Sequence, residues 1–145
     1  MTKMQGKTIH QLKIGDRDYF SKTISESDVY MFAGITGDFS EIHVNQQAAA
    51  KTIFKERIAH GMLTAGLIST AIGVRLPGSG TIYLKQELNF LKPVKIQDTI
   101  RAEVEVIEIF PEKNQVKLKT CCFNQQNEIV MDGEALVMPP KAQST

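Results

Sequence analysis

The segment His60–Leu76 limits the fold more than any other part of the chain. Met62, Leu63, Ala65, Leu67, Ile68, Ala71, Ile72, Val74 and Leu76 leave it almost no polar side. A helix apolar nearly all round must be buried by other elements. It is too short and too polar to span a membrane, because Thr64, Ser69, Thr70, three glycines and Arg75 interrupt it. Pro77-Gly78-Ser79-Gly80 ends it with turn chemistry.

Beyond this turn the chain is strand-like. Thr81–Leu91 is one candidate, broken by Lys92-Pro93. Thr99–Ile109 alternates, with Ile100, Ala102, Val104 and Val106 on one face and Arg101, Glu103 and Glu105 on the other. After a turn at Glu112-Lys113-Asn114, Val116, Leu118, Thr120 and Cys122 keep the same period. A second turn at Gln125–Asn127 leads to Ile129–Met138. This predicts an antiparallel meander with one apolar face. Such a sheet must cover its dry face, and Gly61–Leu76 is the natural cover. The expected class is α+β.

The first part of the chain reads differently. Arg17–Ile24 makes a short strand. Ser25 then caps a helix with acids in its first turn, Val29, Phe32, Ala33 and Thr36 at helical spacing, and Gly37 as its stop. Asn45 caps a second short helix over Gln46–Lys51. Residues 1–15 read as a loosely packed lead-in and Pro139–Thr145 as a frayed tail. The 145 residues suit one domain, with its core over about residues 15–138.

Charge and cysteine content exclude several function classes. Seventeen basic residues face 16 acidic ones without clustering, so the cation density that nucleic-acid binding needs is missing. Met1–Gly15 lacks the apolar core of a signal peptide. Cys121 and Cys122 are adjacent, so a disulfide between them is strained, and on a strand they point to opposite faces. One buried and one more exposed thiol are expected, in a reducing cytoplasm.

Two short segments concentrate polar chemistry. Gly37-Asp38-Phe39-Ser40-Glu41-Ile42-His43-Val44-Asn45 places two acids and a histidine in one loop. Asp38 and His43 so close together can do general acid–base work, or Asp38 and Ser40 can simply cap the next helix. Ile58-Ala59-His60-Gly61-Met62-Leu63 starts the apolar helix. Its opening glycine leaves an amide free to meet a developing oxyanion, or only permits close packing. His60 reads as a structural hydrogen-bonder. Asp38, Glu41, His43 and His60 offer metal-binding atoms, but the chain has no HExxH and no spaced cysteine pair. It also lacks a P-loop, a Gly-x-Gly-x-x-Gly and a Gly-x-Ser-x-Gly elbow.

Together these segments resemble the MaoC-like R-specific enoyl-CoA hydratases. The resemblance continues through Leu76-Pro77-Gly78-Ser79-Gly80-Thr81-Ile82-Tyr83-Leu84 and Phe90-Leu91-Lys92-Pro93-Val94. It implies a hot-dog fold: a bent antiparallel sheet wrapped around a long central helix, about Gly61–Leu76. It also implies a dimer whose sheets join edge to edge, with the active sites near the subunit interface. The implied reaction is reversible hydration of trans-2-enoyl-CoA to (R)-3-hydroxyacyl-CoA, without metal or organic cofactor.

On that resemblance Asp38 and His43 are the catalytic pair, Asp38 as base and His43 as proton donor. Gly61 offers its amide to the thioester oxygen. Ser40, Met62, Ser69 and Ile72 complete the substrate-binding set, with a short or medium acyl chain expected. The family's usual Asp-x-Asn-Pro-x-His-x-Asp departs here at Ser40, Glu41 and Asn45. Glu41 is expected to point to solvent. A carrier-protein-linked 3-hydroxyacyl dehydratase, a non-catalytic acyl-CoA binding module and a thioesterase are the alternatives. Lys55, Arg57, Lys85, Lys92 and Lys95 are the candidate cations for CoA phosphates.

Overall fold

The computed structural model describes residues 5–143. Its sheet contains β1 (Arg17–Thr23), β2 (Ile82–Phe90), β3 (Thr99–Phe110), β4 (Gln115–Phe123) and β5 (Ile129–Met138). The strands lie in the order β1-β3-β4-β5-β2, every pair antiparallel. The meander β3–β4–β5 is the one the alternation predicts. Asn114 and Asn127 make its turns possible by taking φ of 51° and 60°, values Asn tolerates better than most residues.

Alternation also decides which face is dry. Ala102, Val104 and Val106 of β3 are buried and lie opposite Cys122, Thr120 and Leu118 of β4. The register slips between Tyr83 and Lys85, between Val106 and Glu108, and between Cys122 and Phe123. Each irregularity bends its strand and increases the local twist.

The central helix, α4 (Gly61–Thr70), covers this face. Leu67 and Ile68, then Ala71 and Ile72, pack into one core with Ile100, Val104 and Leu118. Full burial of a side chain such as Ile68 or Ile72 contributes roughly 1.5–3 kcal/mol. Two details differ from expectation. The last turn, Ala71–Arg75, is π-helical, and the Leu76 N–H donates to Ala71 O to close it. The helix is also not covered on every side, since a single sheet reaches only one face: Met62 is 59% exposed and Val74 70%.

The remaining α-helices lie between β1 and α4 in the chain. Ser25 and Asp28 exchange hydrogen bonds, each side chain accepting from the other's backbone N–H, and so start α1 (Glu26–Thr36). Gly37 ends it at φ 85°. Asn45 Oδ1 accepts from the Ala48 N–H at 3.0 Å and starts α3 (Gln46–Ala50). Between them lies α2 (Glu41–Val44), a single turn not anticipated from the sequence.

Three further expectations need correction. The lead-in is anchored: Ile9 and Leu12 belong to the core, and the N–H groups of Gly6 and Lys7 donate to Ser79 O and Pro77 O at 2.9 and 2.8 Å. Residues 1–4 lie outside the described residues. The start of the tail is packed as well, since Pro139 and Pro140 are buried, while residues 144–145 lie outside the described residues. Both thiols are buried, although they sit on opposite faces. On the outer face Cys121 lies between Glu103 of β3 and Asp132 of β5, whose longer side chains flank the small thiol.

Candidate active site

The segment after α1 brings an acid to the surface and then turns back. Asp38 is exposed, and its Oδ1 accepts from the Ser40 N–H at 3.2 Å, which holds the carboxylate in its own loop. Ser40 occupies the N-cap position of α2, but its hydroxyl makes no cap bond. α2 carries Glu41, which faces solvent as expected, and the half-buried His43. Asn45, where the family pattern has Asp, is used to cap α3.

The second segment locks onto the first. His43 Nδ1 lies 2.7 Å from Ile58 O. A carbonyl can only accept, so Nδ1 carries the proton and Nε2 is the nitrogen left for chemistry. His60, at the N-cap position of α4, donates from Nε2 to Asp38 O at 2.9 Å. Its ring stacks on that of His43, centroids 3.9 Å apart and planes 26° from parallel. Phe32 touches the His60 ring at 4.7 Å and 51°. One ligating atom each from Asp38, His43 and His60 thus falls within 4.8 Å of the other two. Such a set can bind a divalent cation as well as move protons. Glu41, also considered as a donor, is not part of it.

Gly61 begins α4, where an amide has no intrahelical acceptor and the helix dipole is positive. Beside it is a pocket of about 350 Å³ lined by Gly61, Thr64, Phe90, Val94, Val130 and Met131. Its apolar wall suits a hydrocarbon and its helix start suits an oxyanion. A larger groove, about 470 Å³, lies on the outer face of the sheet among Tyr19, Lys119, Cys121 and Asp132. It contains none of Asp38, His43 or Gly61. Asp38 and His43 do not line the smaller pocket either, but Gly61 does, and so does Ile58, whose carbonyl oxygen lies 2.7 Å from His43 Nδ1.

The other expected residues lie further off. Met62 and Ser69 are exposed, and Ile72 is buried in the core. At 1.5 Å per residue Ser69 is about 12 Å along the helix from Gly61, so neither Ser69 nor Ile72 belongs to the polar cluster. Four of the five candidate cations are already paired: Arg57 with Glu26, Lys85 with Glu87, Lys92 with Glu128 and Lys95 with Glu56. Two residues outside the expected set also belong here. His60 Nδ1 and Thr64 Oγ1 are buried without partners among the described residues. Their sequence signals were a helix start lacking Ser, Thr, Asp or Asn and a hydroxyl in an apolar run.

A bent five-stranded antiparallel sheet around one helix, with an acid and two imidazoles gathered at that helix's N-terminus, defines a hot-dog fold bearing a polar cleft. The chain belongs to the family of MaoC-like domains, whose model matches residues 12–130. It is 50% identical over 129 residues to the (R)-specific enoyl-CoA hydratase of Rhodospirillum rubrum, covering 89% of each chain. It is 49% identical over 130 residues to the 3-hydroxybutyryl-CoA dehydratase of Methylorubrum extorquens, covering 90% of this chain and 82% of that one. The unliganded R-hydratase PhaJ1 of Pseudomonas aeruginosa superposes with a TM-score of 0.91 at 46% identity, covering 95% of this chain and 88% of that one.

Proposed function

We propose that the protein is an (R)-specific enoyl-CoA hydratase, a hydro-lyase that adds water reversibly to trans-2-enoyl-CoA. The observation that carries this reading is the meeting of Asp38 and His43 within 4.8 Å, beside the pocket that Gly61 opens. Asp38 takes a proton from water as its oxygen bonds to C3. The C2=C3 π pair moves to C2 and the thioester oxygen, where the Gly61 amide receives the developing charge. His43 enters the step as an imidazolium, with Nδ1–H committed to Ile58 O; it gives its Nε2 proton to C2 and is left as the neutral Nδ1–H tautomer. The sum is H and OH added across the double bond, and proton exchange restores the pair. Ser40, Met62 and Ser69 contact the substrate, whose acyl chain is short or medium, and the buried Ile72 backs the helix from the core.

The reaction needs no metal or organic cofactor, because both proton transfers and the charge stabilisation come from the chain. Dialysis against a chelator leaves activity unchanged on this reading, and loss restored by zinc would overturn that part. The protein works as a cytoplasmic homodimer. Its support is β2, an edge strand with Ile82, Tyr83 and Leu84 exposed, beside the uncovered Met62 and Val74 of the helix. Light scattering reads the mass directly.

The principal test is loss of enoyl absorbance when the protein meets crotonyl-CoA, with thiol release monitored in parallel and Asp38→Asn as control. Rapid loss without thiol, absent in the variant, is the expected result. Thiol release would mark a thioesterase. Binding without turnover on both CoA and carrier-protein thioesters would mark a binding module.

A further inference from the structure

His60 touches both members of the acid–base pair without being needed as either. Its Nε2–H donates to the backbone oxygen of Asp38 at 2.9 Å, and its ring face lies on the ring of His43. It sits at the N-cap position of α4, one residue before the Gly61 amide. One buried side chain, 3% exposed, thus joins the loop of Asp38, the turn of His43 and the helix that carries Gly61.

This placement is specific in two ways. Among the described residues the carboxylate of the exposed Asp38 is held only from its own loop, by the Ser40 N–H, and the bond from His60 to the Asp38 backbone oxygen ties that loop to the helix start. His43 is pinned at Nδ1 by Ile58 O, which still leaves its ring free to rock about that bond. The His60 face removes this freedom on one side and fixes where Nε2 points. Phe32 supports His60 in turn at 4.7 Å. A Ser, Thr, Asp or Asn at this helix start would satisfy α4 more directly. His60 caps nothing with its side chain, and its Nδ1 is buried without a partner among the described residues. A purely structural N-cap residue has no reason to be a histidine stacked on another histidine.

We infer that His60 is a positioning residue: it sets the distance between the Asp38 carboxylate and His43 Nε2 and aligns both with the Gly61 amide. The inference rests on the hydratase reading for its kinetic consequence, but its geometric content stands apart from it. Misplacing reacting groups by an ångström lowers rates by about 100-fold without weakening substrate binding equally. His60 therefore governs kcat more than KM.

Two variants separate its two contacts. His60→Gln keeps a donor near the Nε2 position and loses the stack, whereas His60→Phe keeps the stack and loses the donor. Each is assayed with crotonyl-CoA, and each is examined by nitrogen-15 NMR of the histidine side chains. The chain has only three histidines, so the spectrum is assignable. Once deprotonated to its neutral form, wild-type His43 shows a single Nδ1–H tautomer. We expect kcat to fall ~10–100-fold in both variants with KM within about twofold, and the His43 tautomer to become mixed in His60→Gln. Wild-type kcat together with an unchanged His43 signal in folded variants would overturn the inference. So would loss of activity that tracks only loss of folded protein. If the wild type hydrates nothing while His43 still loses its fixed tautomer in His60→Gln, the hydratase reading fails and the positioning role survives. If neither moves, both fail.

Discussion

Gly61 and Phe90 leave no room for a methyl group between them: a Cβ on Gly61 would come within 2.6 Å of Phe90 Cε1 and 2.8 Å of Cδ1. The obstacle is a side chain rather than backbone, and Phe90 is 57% exposed, so its ring can turn away. It can do so only by changing the shape of the pocket it lines. Gly61→Ala should therefore fold, with the melting temperature within a few degrees of wild type. Its kcat/KM on crotonyl-CoA should fall roughly tenfold, about 1.4 kcal/mol of transition-state stabilisation. Phe90→Ala in the same background should recover part of that loss. A double-mutant cycle with no coupling between the two sites would refute the steric account.

Gly133 poses a harder limit. A Cβ there would sit 1.8 Å from Glu87 O and 2.7 Å from its carbonyl carbon, both backbone atoms of the neighbouring strand. No rotamer relieves that overlap, so β2 must move away from β5 along the pair Leu88–Gly133. Gly133→Ala should destabilise the fold by about 3 kcal/mol, read by urea denaturation. Because β2 carries Phe90, activity should fall at temperatures where the protein is still folded.

Asp28 gives the fold an acid-side dependence. Burial pushes its carboxyl up, but the Lys22 ammonium at 2.8 Å and hydrogen bonds from Ser25 outweigh this and hold it below the usual 3.8. The folded state therefore binds this proton less readily than the unfolded chain. The stabilisation is complete above the unfolded value and is lost as pH falls through the folded one. Asp28→Asn should lower stability by about 1 kcal/mol at pH 7 and reduce the difference between pH 7 and pH 3. Equal losses at both pH values, by thermal melts, would show that its charge contributes nothing.

The two thiols should be inert in the native protein. Burial, with a smaller contribution from Cys121, pushes the Cys122 thiol up to about 12. Burial, with Asp132 nearby, also raises Cys121. At pH 8 iodoacetamide should label neither until the chain is unfolded, and then both, by mass spectrometry. Unfolding frees each thiol to ionise at its ordinary value, so stability should decline as pH rises from about 9 toward 12. Rapid native labelling of Cys121 would mean that the outer face of the sheet opens.

The parts of the fold legible in the sequence were those whose cause is local. Ser25, Gly37 and Asn45 mark helix ends because the capping bonds join residues three or four apart. The alternation of Ile100, Ala102, Val104 and Val106 names the dry face because strand period is a property of the chain itself. Pairing across long separations left no such trace: nothing in Arg17 shows that it lies opposite Glu105. The burial of Ile9 and Leu12 was hidden for the same reason, since the surface that covers them is built from distant residues. Within the site, Asp38 and His43 were visible because they lie only five positions apart. His60 reaches Asp38 from 22 positions away, so its hydrogen bond was foreseeable as a kind of contact but its partner and its stack on His43 were not.

The strand order has a consequence for when the cleft exists at all. β1 and β2 lie on opposite edges of the sheet, and residues 24–81, which hold the whole polar cluster, are strung between them. The meander can close through short hairpins, whereas seating both edges demands long loop closures whose entropy is recovered only at the end. The cleft therefore exists only when both edges of the sheet are seated. A ligand that holds it shut acts as a clasp on the entire sheet, and its binding free energy becomes resistance to unfolding.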